Sequence, residues 1–170
     1  MEEMLRAVQQ VAREHVFIGD ERHYSAAALR HLQVSEVLLQ SDPALVADAQ
    51  FHAVMAAECL LKHLFSMVRF SAGWRANSRS DEEFGEVRLA SKVFKHDVKK
   101  LGAFLLRNPE LQGYRLLEEL MLVLPAAGDK WNEDRYRPAE TNQNRFAHTE
   151  STVKLGRSIL VEMREGRHDS

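Results

Sequence analysis

The stretch PALVADAQFHAVMAAECLLKHLFSMVRF, residues 43–70, decides the fold. It follows Ser41 and Asp42, which are good helix caps, and it opens with Pro43, a residue tolerated in a first helical turn. At 100° per residue, apolar side chains cover nearly the whole circumference of this segment. That pattern is typical of the central helix of a bundle, so the sequence predicts a long core helix over 43–70.

A few polar side chains interrupt this apolar helix along one stripe. Glu58 and Lys62 fall on that stripe together with Phe51 and Arg69. Because Glu58 and Lys62 are four residues apart, their carboxylate and ammonium groups are predicted to pair on the helix surface. Burying such a pair is costly, so its presence in the most apolar helix requires an explanation.

Helical spacing also dominates the rest of the chain. It predicts a first helix that includes the apolar positions of 4–12 and ends near 19–20, and a second helix over 24–40. After the core helix, it predicts a fourth helix from 95–97 to 108 and a fifth over 109–124. The last predicted helix is capped by Thr149 or Ser151 and ends at Met163. A long polar loop is predicted at about 71–94 and a frayed tail after about 164. No strand pattern is found, so we predict an all-α, up-and-down bundle of about five to six helices, in a single domain over 1–170.

Composition limits the partners and the location of the protein. The chain has 23 basic and 25 acidic residues and a formal net charge of −2, so bulk charge does not select nucleic acid as a partner. The single cysteine, Cys59, excludes an intramolecular disulfide and fits a reducing compartment. The N-terminus lacks the pattern of a signal peptide, and no uninterrupted apolar run approaches the roughly 20 residues of a membrane span. We therefore expect a cytoplasmic protein with no membrane partner.

Several kinds of cofactor and metal site have no counterpart in the sequence. There is no glycine-rich phosphate loop, no cysteine pair and no HExxH motif. Cys59 and His63 are four residues apart, but His52 is about 10 Å farther along the helix axis, too far for a third metal ligand. We therefore predict no metal site and no cofactor. A nucleophilic Cys59 is not expected either, because burial in the middle of a helix raises the pKa of a thiol.

Two further segments concentrate polar side chains. The fourth helix starts with KHDV, which contains His96 and Asp97. The stretch WNEDRYRPAETNQNRFAH, residues 131–148, contains Arg135, Tyr136, Arg145 and His148. A His–Asp pair at a helix start is often only a cap, and an Arg–Tyr pair is often only surface. The order of these segments along the chain says more about the class of protein than each segment does alone.

In that order, three short motifs resemble the HEPN family, the helical nucleotide-binding domains shared by prokaryotes and higher eukaryotes. The motifs are AVMAAECLLK at 53–62, HDV at 96–98 and RYRP at 135–138. The upstream HLQVSEVLL, at 31–39, is similar to the family's second helix. The resemblance covers about 24–163 and implies an up-and-down bundle that commonly forms a homodimer. Many members are encoded beside a small nucleotidyltransferase, in toxin–antitoxin or other defence systems.

Ribonuclease members of the family cut RNA without a metal, at a dimer interface, with an arginine and a histidine separated by four to six residues. The arginine must neutralise a phosphate while the imidazole reaches the hydroxyl or the leaving oxygen. This chain departs from that motif, because only two residues separate Arg145 from His148. These two side chains could still converge across a dimer or in a loop. They are therefore the only catalytic candidates, and the catalytic residues are otherwise unknown.

The segment DRYRP, at 134–138, is similar to the nucleotidyltransferase-associated branch of the family, with one extra arginine before the proline. The resemblance implies a shared polar groove lined by Glu58, Lys62, His96, Asp97, Arg135 and Tyr136. In that groove Lys62 and Arg135 would hold phosphates, and Tyr136 would stack on a base. The alternative is that the same residues form a buried polar network that sets the register of the helices, with no ligand.

The sequence thus leads us to expect a non-ribonuclease, HEPN-like binding protein that forms a homodimer. Its partner would be a nucleotide, or a nucleotidyltransferase or other protein, in a bacterial toxin–antitoxin or defence system. One alternative is a metal-independent endoribonuclease that cuts RNA. The other alternative is a purely structural interaction module.

Overall fold

The computed structural model describes residues 24–71, 97–107, 111–125 and 143–165. These ranges form five α-helices and one short 3₁₀ helix: α1 (Tyr24–Ser41), the 3₁₀ helix (Pro43–Leu45), α2 (Val46–Ser71), α3 (Val98–Leu105), α4 (Arg115–Val123) and α5 (Gln143–Glu165). No strand occurs in the described ranges, and the predicted all-α helical bundle is confirmed. The predictions for the first helix, most of the 71–94 loop and the tail fall outside these residues.

The break between α1 and α2 lies where the sequence predicts it. The side chain of Asp42 accepts a hydrogen bond of 2.8 Å from the backbone N–H of Ala44, and Pro43 starts the 3₁₀ helix. A carboxylate at this position satisfies a backbone donor that has no partner inside the helix. The chain therefore turns within a few residues, and α2 returns along α1.

The antiparallel course of α1 and α2 is visible in three cross-helix contacts. Ser35 Oγ donates to the carbonyl of Ala49 at 2.8 Å, His31 Nδ1 lies 3.0 Å from His52 Nδ1, and the ring of Tyr24 faces Lys62 Nζ. As the residue number falls along α1, that of the partner rises along α2. Several small side chains of α1 and α2 are buried: Ala28, Ala49, Ala53, Ala56 and Ala57.

Helix α5 packs against both α1 and α2 through a glycine. A Cβ atom built on Gly156 would lie 3.0 Å from Leu32 Cδ2 and 3.3 Å from Leu60 Cδ1. On the same side of α5, Arg157 forms a two-pronged ion pair with Glu36 of α1. Two parallel N–H···O bonds of this kind add geometric specificity to an ion pair. Together these contacts seat α5 over the pair formed by α1 and α2.

Helices α3 and α4 complete the core. The ring of Phe104 in α3 lies 6.0 Å from that of Phe65 in α2, centroid to centroid. Gly102 of α3 lies so close to Met121 of α4 that an added Cβ would stand 2.1 Å from Met121 Sδ. The apolar sides of both helices are buried in one cluster with the other three: Val98, Leu101, Leu105, Leu117 and Leu120. The periodicity that predicted these helices therefore also identifies their inward faces.

Two predicted helix starts are wrong. The fifth helix was expected from 109, but 111–113 form a turn and α4 begins at Arg115. Gly113 has φ +78°, a left-handed conformation that ends regular right-handed helix. The last helix was expected to begin at Thr149 or Ser151, but α5 begins at Gln143. Thr149 does not cap it, because its hydroxyl donates instead to the carbonyl of Arg145, four residues earlier.

The stretch Pro43–Phe65 is long and apolar enough, by length and composition alone, to cross a membrane, with a mean hydropathy of 1.3. However, 56% of it is buried inside the bundle. The core helix of a soluble protein meets the same criterion, so this is a weak indication of a membrane span.

Candidate functional site

The predicted pair of Glu58 and Lys62 is present on α2. Lys62 Nζ donates to Glu58 Oε1 at 2.5 Å, and only 11% of the Lys62 side chain and 4% of the Glu58 side chain are exposed. The spacing of four residues brings them together on one face of the helix. This part of the sequence analysis is confirmed: a carboxylate and an ammonium group meet within the long apolar helix α2.

Burial makes each member of this pair dependent on the other. Removing a charge from water costs several kcal/mol, and attraction to the partner offsets that cost only when the geometry is good. Lys62 also has a second neighbour, because its Nζ lies 5.8 Å from the centroid of the Tyr24 ring. A cation within about 6 Å of an aromatic centroid is attracted to the ring. The first turn of α1 is thereby joined to the charged pair on α2.

A histidine pair lies farther along the same interface. His31 of α1 and His52 of α2 are linked by a hydrogen bond of 3.0 Å between their Nδ1 atoms, with ring centroids 5.2 Å apart. Phe51 lies edge-on to the His52 ring at 5.4 Å. We call the interface residues Tyr24, His31, His52, Glu58 and Lys62 the polar seam. These residues of α1 and α2 form the candidate functional site.

Sequence analysis did not identify three of the five residues of the polar seam. His52 was considered only as a metal ligand or a packing residue, and neither Tyr24 nor His31 was singled out. The antiparallel register of two consecutive helices was the available signal. A tight turn at Asp42 places residues of α1 opposite residues of α2 whose numbers add up to nearly a constant value, and this register pairs His31 with the region of His52.

Burial and neighbouring charges shift the pKa values of His31, in the polar seam, and of Cys59, next to Glu58 in sequence. Burial, then His52 and Arg30, lower the pKa of His31 to about 4, against a smaller opposite effect of Glu58. Burial, helped by Glu58, raises the pKa of Cys59 to about 11. His31 is therefore neutral at pH 7, and the raised pKa of Cys59 agrees with the effect expected from burial in the middle of a helix.

Asp97 serves as the N-cap of α3. Its Oδ1 accepts a hydrogen bond of 3.0 Å from the backbone N–H of Lys100, and its Oδ2 lies 3.4 Å from the exposed ammonium of the same lysine. The capping role that a His–Asp pair often has is thus present at this helix start. These contacts do not connect Asp97 to the polar seam.

Of the six predicted groove residues, the structure brings together Glu58 and Lys62. His96, Arg135 and Tyr136 lie outside the described residues, so the predicted convergence of all six stays a prediction.

The catalytic candidates Arg145 and His148 both lie on α5. The last helix was expected to begin after them, at Thr149 or Ser151, and this expectation is corrected by the earlier start of α5 at Gln143. Three residues apart, they are neighbours about 60° apart around the helix axis. Arg145 is half-buried and His148 is exposed. Their carbonyl groups accept hydrogen bonds of 2.8 Å from the hydroxyls of Thr149 and Thr152.

Two further features lie away from the polar seam. An open groove of about 410 Å³ is lined by Leu64, Leu111, Gln112, Gly113, Tyr114, Glu162 and Met163. Burial and a hydrogen bond to Glu162 raise the pKa of Tyr114 there. The groove contains none of the predicted site residues. In the part of the chain that the structure describes, no three His, Cys, Asp or Glu side chains are arranged to hold a metal ion.

Comparison of the chain with protein-family models, curated proteins and solved structures gives no match. The class that the structure establishes is that of an all-α helical bundle, and membership of a particular family within that class remains a proposal.

Proposed function

We propose that the chain is a HEPN-like binding protein that binds a nucleotide at the end of the polar seam where Tyr24 and Lys62 meet. The proposal includes the cytoplasmic homodimer, the nucleotidyltransferase or other protein partner, and the bacterial toxin–antitoxin or defence setting that the family resemblance implies. The observation that carries it is the Lys62 ammonium, held between the Glu58 carboxylate and the Tyr24 ring within an apolar helix.

The charged end of a nucleotide fits the chemistry of Lys62. An ammonium group carries three N–H donors, and the hydrogen bond to Glu58 uses one of them. The lysine side chain is largely buried, with 11% of its surface exposed. Charge-assisted bonds to phosphate are among the stronger hydrogen bonds. Glu58 would hold Lys62 in place until the phosphate arrives.

The base of a nucleotide fits the aromatic residue beside that ammonium. Tyr24 is half-buried in the first turn of α1, with its ring centroid 5.8 Å from Lys62 Nζ. Base–aromatic stacking contributes about 1–3 kcal/mol in nucleic-acid complexes and tolerates any base. By the family resemblance, Arg135 would add a bidentate phosphate contact and Tyr136 a second aromatic ring.

Thermal unfolding with added nucleotide tests this proposal. We expect ATP or a related nucleotide at 100 times its dissociation constant to stabilise the wild-type chain by about 2.7 kcal/mol. Tyr24→Leu and Arg135→Ala should each reduce that increase strongly, because each removes one half of the ligand contact. Differential scanning fluorimetry across a panel of nucleotides measures both effects.

Lys154 supplies the matched control for this experiment. It forms an i,i+4 pair with Glu150 at 3.2 Å, but on the exposed side of α5. Lys154→Met should leave the nucleotide response unchanged. A flat response of the wild-type chain to every nucleotide would reject the proposal and favour the interaction module, which predicts co-purification with a partner protein.

A second candidate function is that of a metal-independent endoribonuclease. The observation that favours it is the placement of Arg145 and His148 as neighbours on α5, with the imidazole exposed. A guanidinium that holds a phosphate next to an imidazole that moves a proton is the pair this chemistry requires. Across a twofold axis, two such pairs would face one RNA strand.

RNA cleavage in EDTA tests the second candidate. If this second candidate is the function, the wild-type chain cuts total RNA without a metal, and His148→Ala lowers the rate at least 100-fold because the proton-transfer group is lost. Ser158→Ala, on the exposed side of the same helix, is the control. Intact RNA at high concentrations of the wild-type chain would eliminate this function.

A further inference from the structure

The histidine pair in the polar seam has a property that the proposed function does not use. His31 and His52 are 21 residues apart in sequence and belong to different helices, yet their Nδ1 atoms are 3.0 Å apart. An N···N hydrogen bond of this kind requires that one nitrogen carries the proton and the other offers a lone pair. The bond therefore exists only while at least one of the two rings is neutral.

Double protonation would convert this bond into a repulsion. Both Nδ1 atoms would then carry a proton, and two positive rings would face each other with centroids 5.2 Å apart. Both rings are half-buried between α1 and α2, so water screens the repulsion only in part. Neither ring can move away along its helix, because Ser35 and Ala49, about one turn away, hold the register.

The charged neighbours of the pair do not offset this repulsion. Among the described residues, Arg30 on α1 opposes a positive His31, as does His52 from α2, while Glu58 on α2 favours it. Glu58 is already paired with Lys62 at 2.5 Å. Burial is the largest effect on His31 and lowers its pKa to about 4.

We propose that the His31–His52 pair is an acid-sensitive latch that holds α1 on α2 at neutral pH and releases it when both rings become protonated. The same two helices build the polar seam, so release would separate Tyr24 from Lys62. The proposal does not depend on what binds there. It requires only the cross-helix hydrogen bond and the partial burial of both rings.

The sign of the pH effect follows from the two pKa values of His31. The value is about 6.5 in the unfolded chain and about 4 in the folded one, so the unfolded state binds more protons in between. Stability is then fully present above about pH 6.5 and falls as the pH drops toward 4. From this group alone, the folding equilibrium constant should fall roughly 100-fold between pH 7.5 and 4.

Urea unfolding at a series of pH values from 7.5 to 4 tests the latch. Carboxylates also titrate in this range, so the result to compare is the difference between variants. In the wild-type chain, His31 should lower the folding equilibrium constant roughly 100-fold between pH 7.5 and 4. In His31→Gln most of that decrease should be absent, because glutamine can form a hydrogen bond with His52 and does not titrate. His148→Gln, which removes an exposed histidine from α5, should follow the wild-type profile.

A second measurement needs no variant. Imidazole nitrogen chemical shifts of the wild-type chain should show, at pH 7.5, one protonated and one unprotonated Nδ1 within a coupled pair. Loss of that pattern on acidification should coincide with faster amide exchange in α1. The latch is overturned if the His31→Gln and wild-type profiles superimpose, if His148→Gln has the same effect as His31→Gln, or if both rings titrate as exposed histidines.

Discussion

Lys62→Met is expected to lower the free energy of unfolding by about 3–5 kcal/mol, because it leaves the Glu58 carboxylate buried without its ammonium partner. Only 4% of the Glu58 side chain is exposed, so water cannot replace the lost hydrogen bond of 2.5 Å. Methionine nearly preserves the volume of the lysine stem, so the loss would reflect charge and not packing. Urea unfolding followed by circular dichroism measures it.

The double variant Glu58→Leu/Lys62→Met separates the cost of an unpaired charge from the net value of the pair. Replacing both partners by apolar residues is often neutral or stabilising, so we expect the double variant to recover most of the stability lost in the single one. The surface pair of Glu150 and Lys154 has the same spacing, with 49% and 70% of its side chains exposed. Lys154→Met should therefore change stability by less than about 1 kcal/mol.

Either of two results would refute this account of the pair. Equal stabilities for Lys62→Met and Lys154→Met would mean that the Glu58–Lys62 pair is solvated. A double variant less stable than Lys62→Met would mean that Glu58 is stabilised by groups other than Lys62.

The second large effect is expected for Gly156→Val, which should lower the free energy of unfolding by about 3 kcal/mol because it overpacks the core. The added Cβ would already stand 3.0 Å from Leu32 and 3.3 Å from Leu60, and the two further methyl groups have no space. Leu32 and Leu60 are both fully buried, so neither can rotate into solvent. Valine's better helix propensity, worth a few tenths of a kcal/mol, cannot offset this. Chemical denaturation measures the loss.

Gly102→Val is the matched control for this prediction. The atoms nearest to an added Cβ there belong to the end of the Met121 side chain, which is flexible and only half-buried. Methionine adapts readily to altered packing, so Gly102→Val should cost less than about 1.5 kcal/mol. If Gly102→Val proved the more damaging change, the close seating of α5 on α1 and α2 would not be what makes Gly156 necessary.

Local periodicity accounts for most of what sequence analysis predicted correctly. The apolar circumference of 43–70 identified the core helix because such a helix is stable only when other helices cover it. The pairing of Glu58 with Lys62 followed from their spacing, since a helix always places such residues side by side. Asp42 and Asp97 were identified at helix starts because a carboxylate there satisfies backbone donors without help from the rest of the fold.

The incorrect helix starts have a related cause. A threonine hydroxyl can cap a helix or bond to the carbonyl four residues earlier, and both conformations are locally reasonable. Thr149 adopts the second, with Arg145, because α5 continues back to Gln143. A glycine likewise permits a left-handed turn without requiring it, and Gly113 adopts one.

The amino-acid sequence by itself determined that this protein is an all-α bundle built around one apolar helix, and that a charged pair lies within that helix. Only the tertiary structure decided that Tyr24 faces Lys62, that His31 forms a hydrogen bond with His52, and that α5 packs closely on α1 and α2 at Gly156. The reason is that spacing along a helix follows from backbone geometry alone. Contacts between residues far apart in sequence depend instead on which helix faces pack together and on how closely small side chains let them approach.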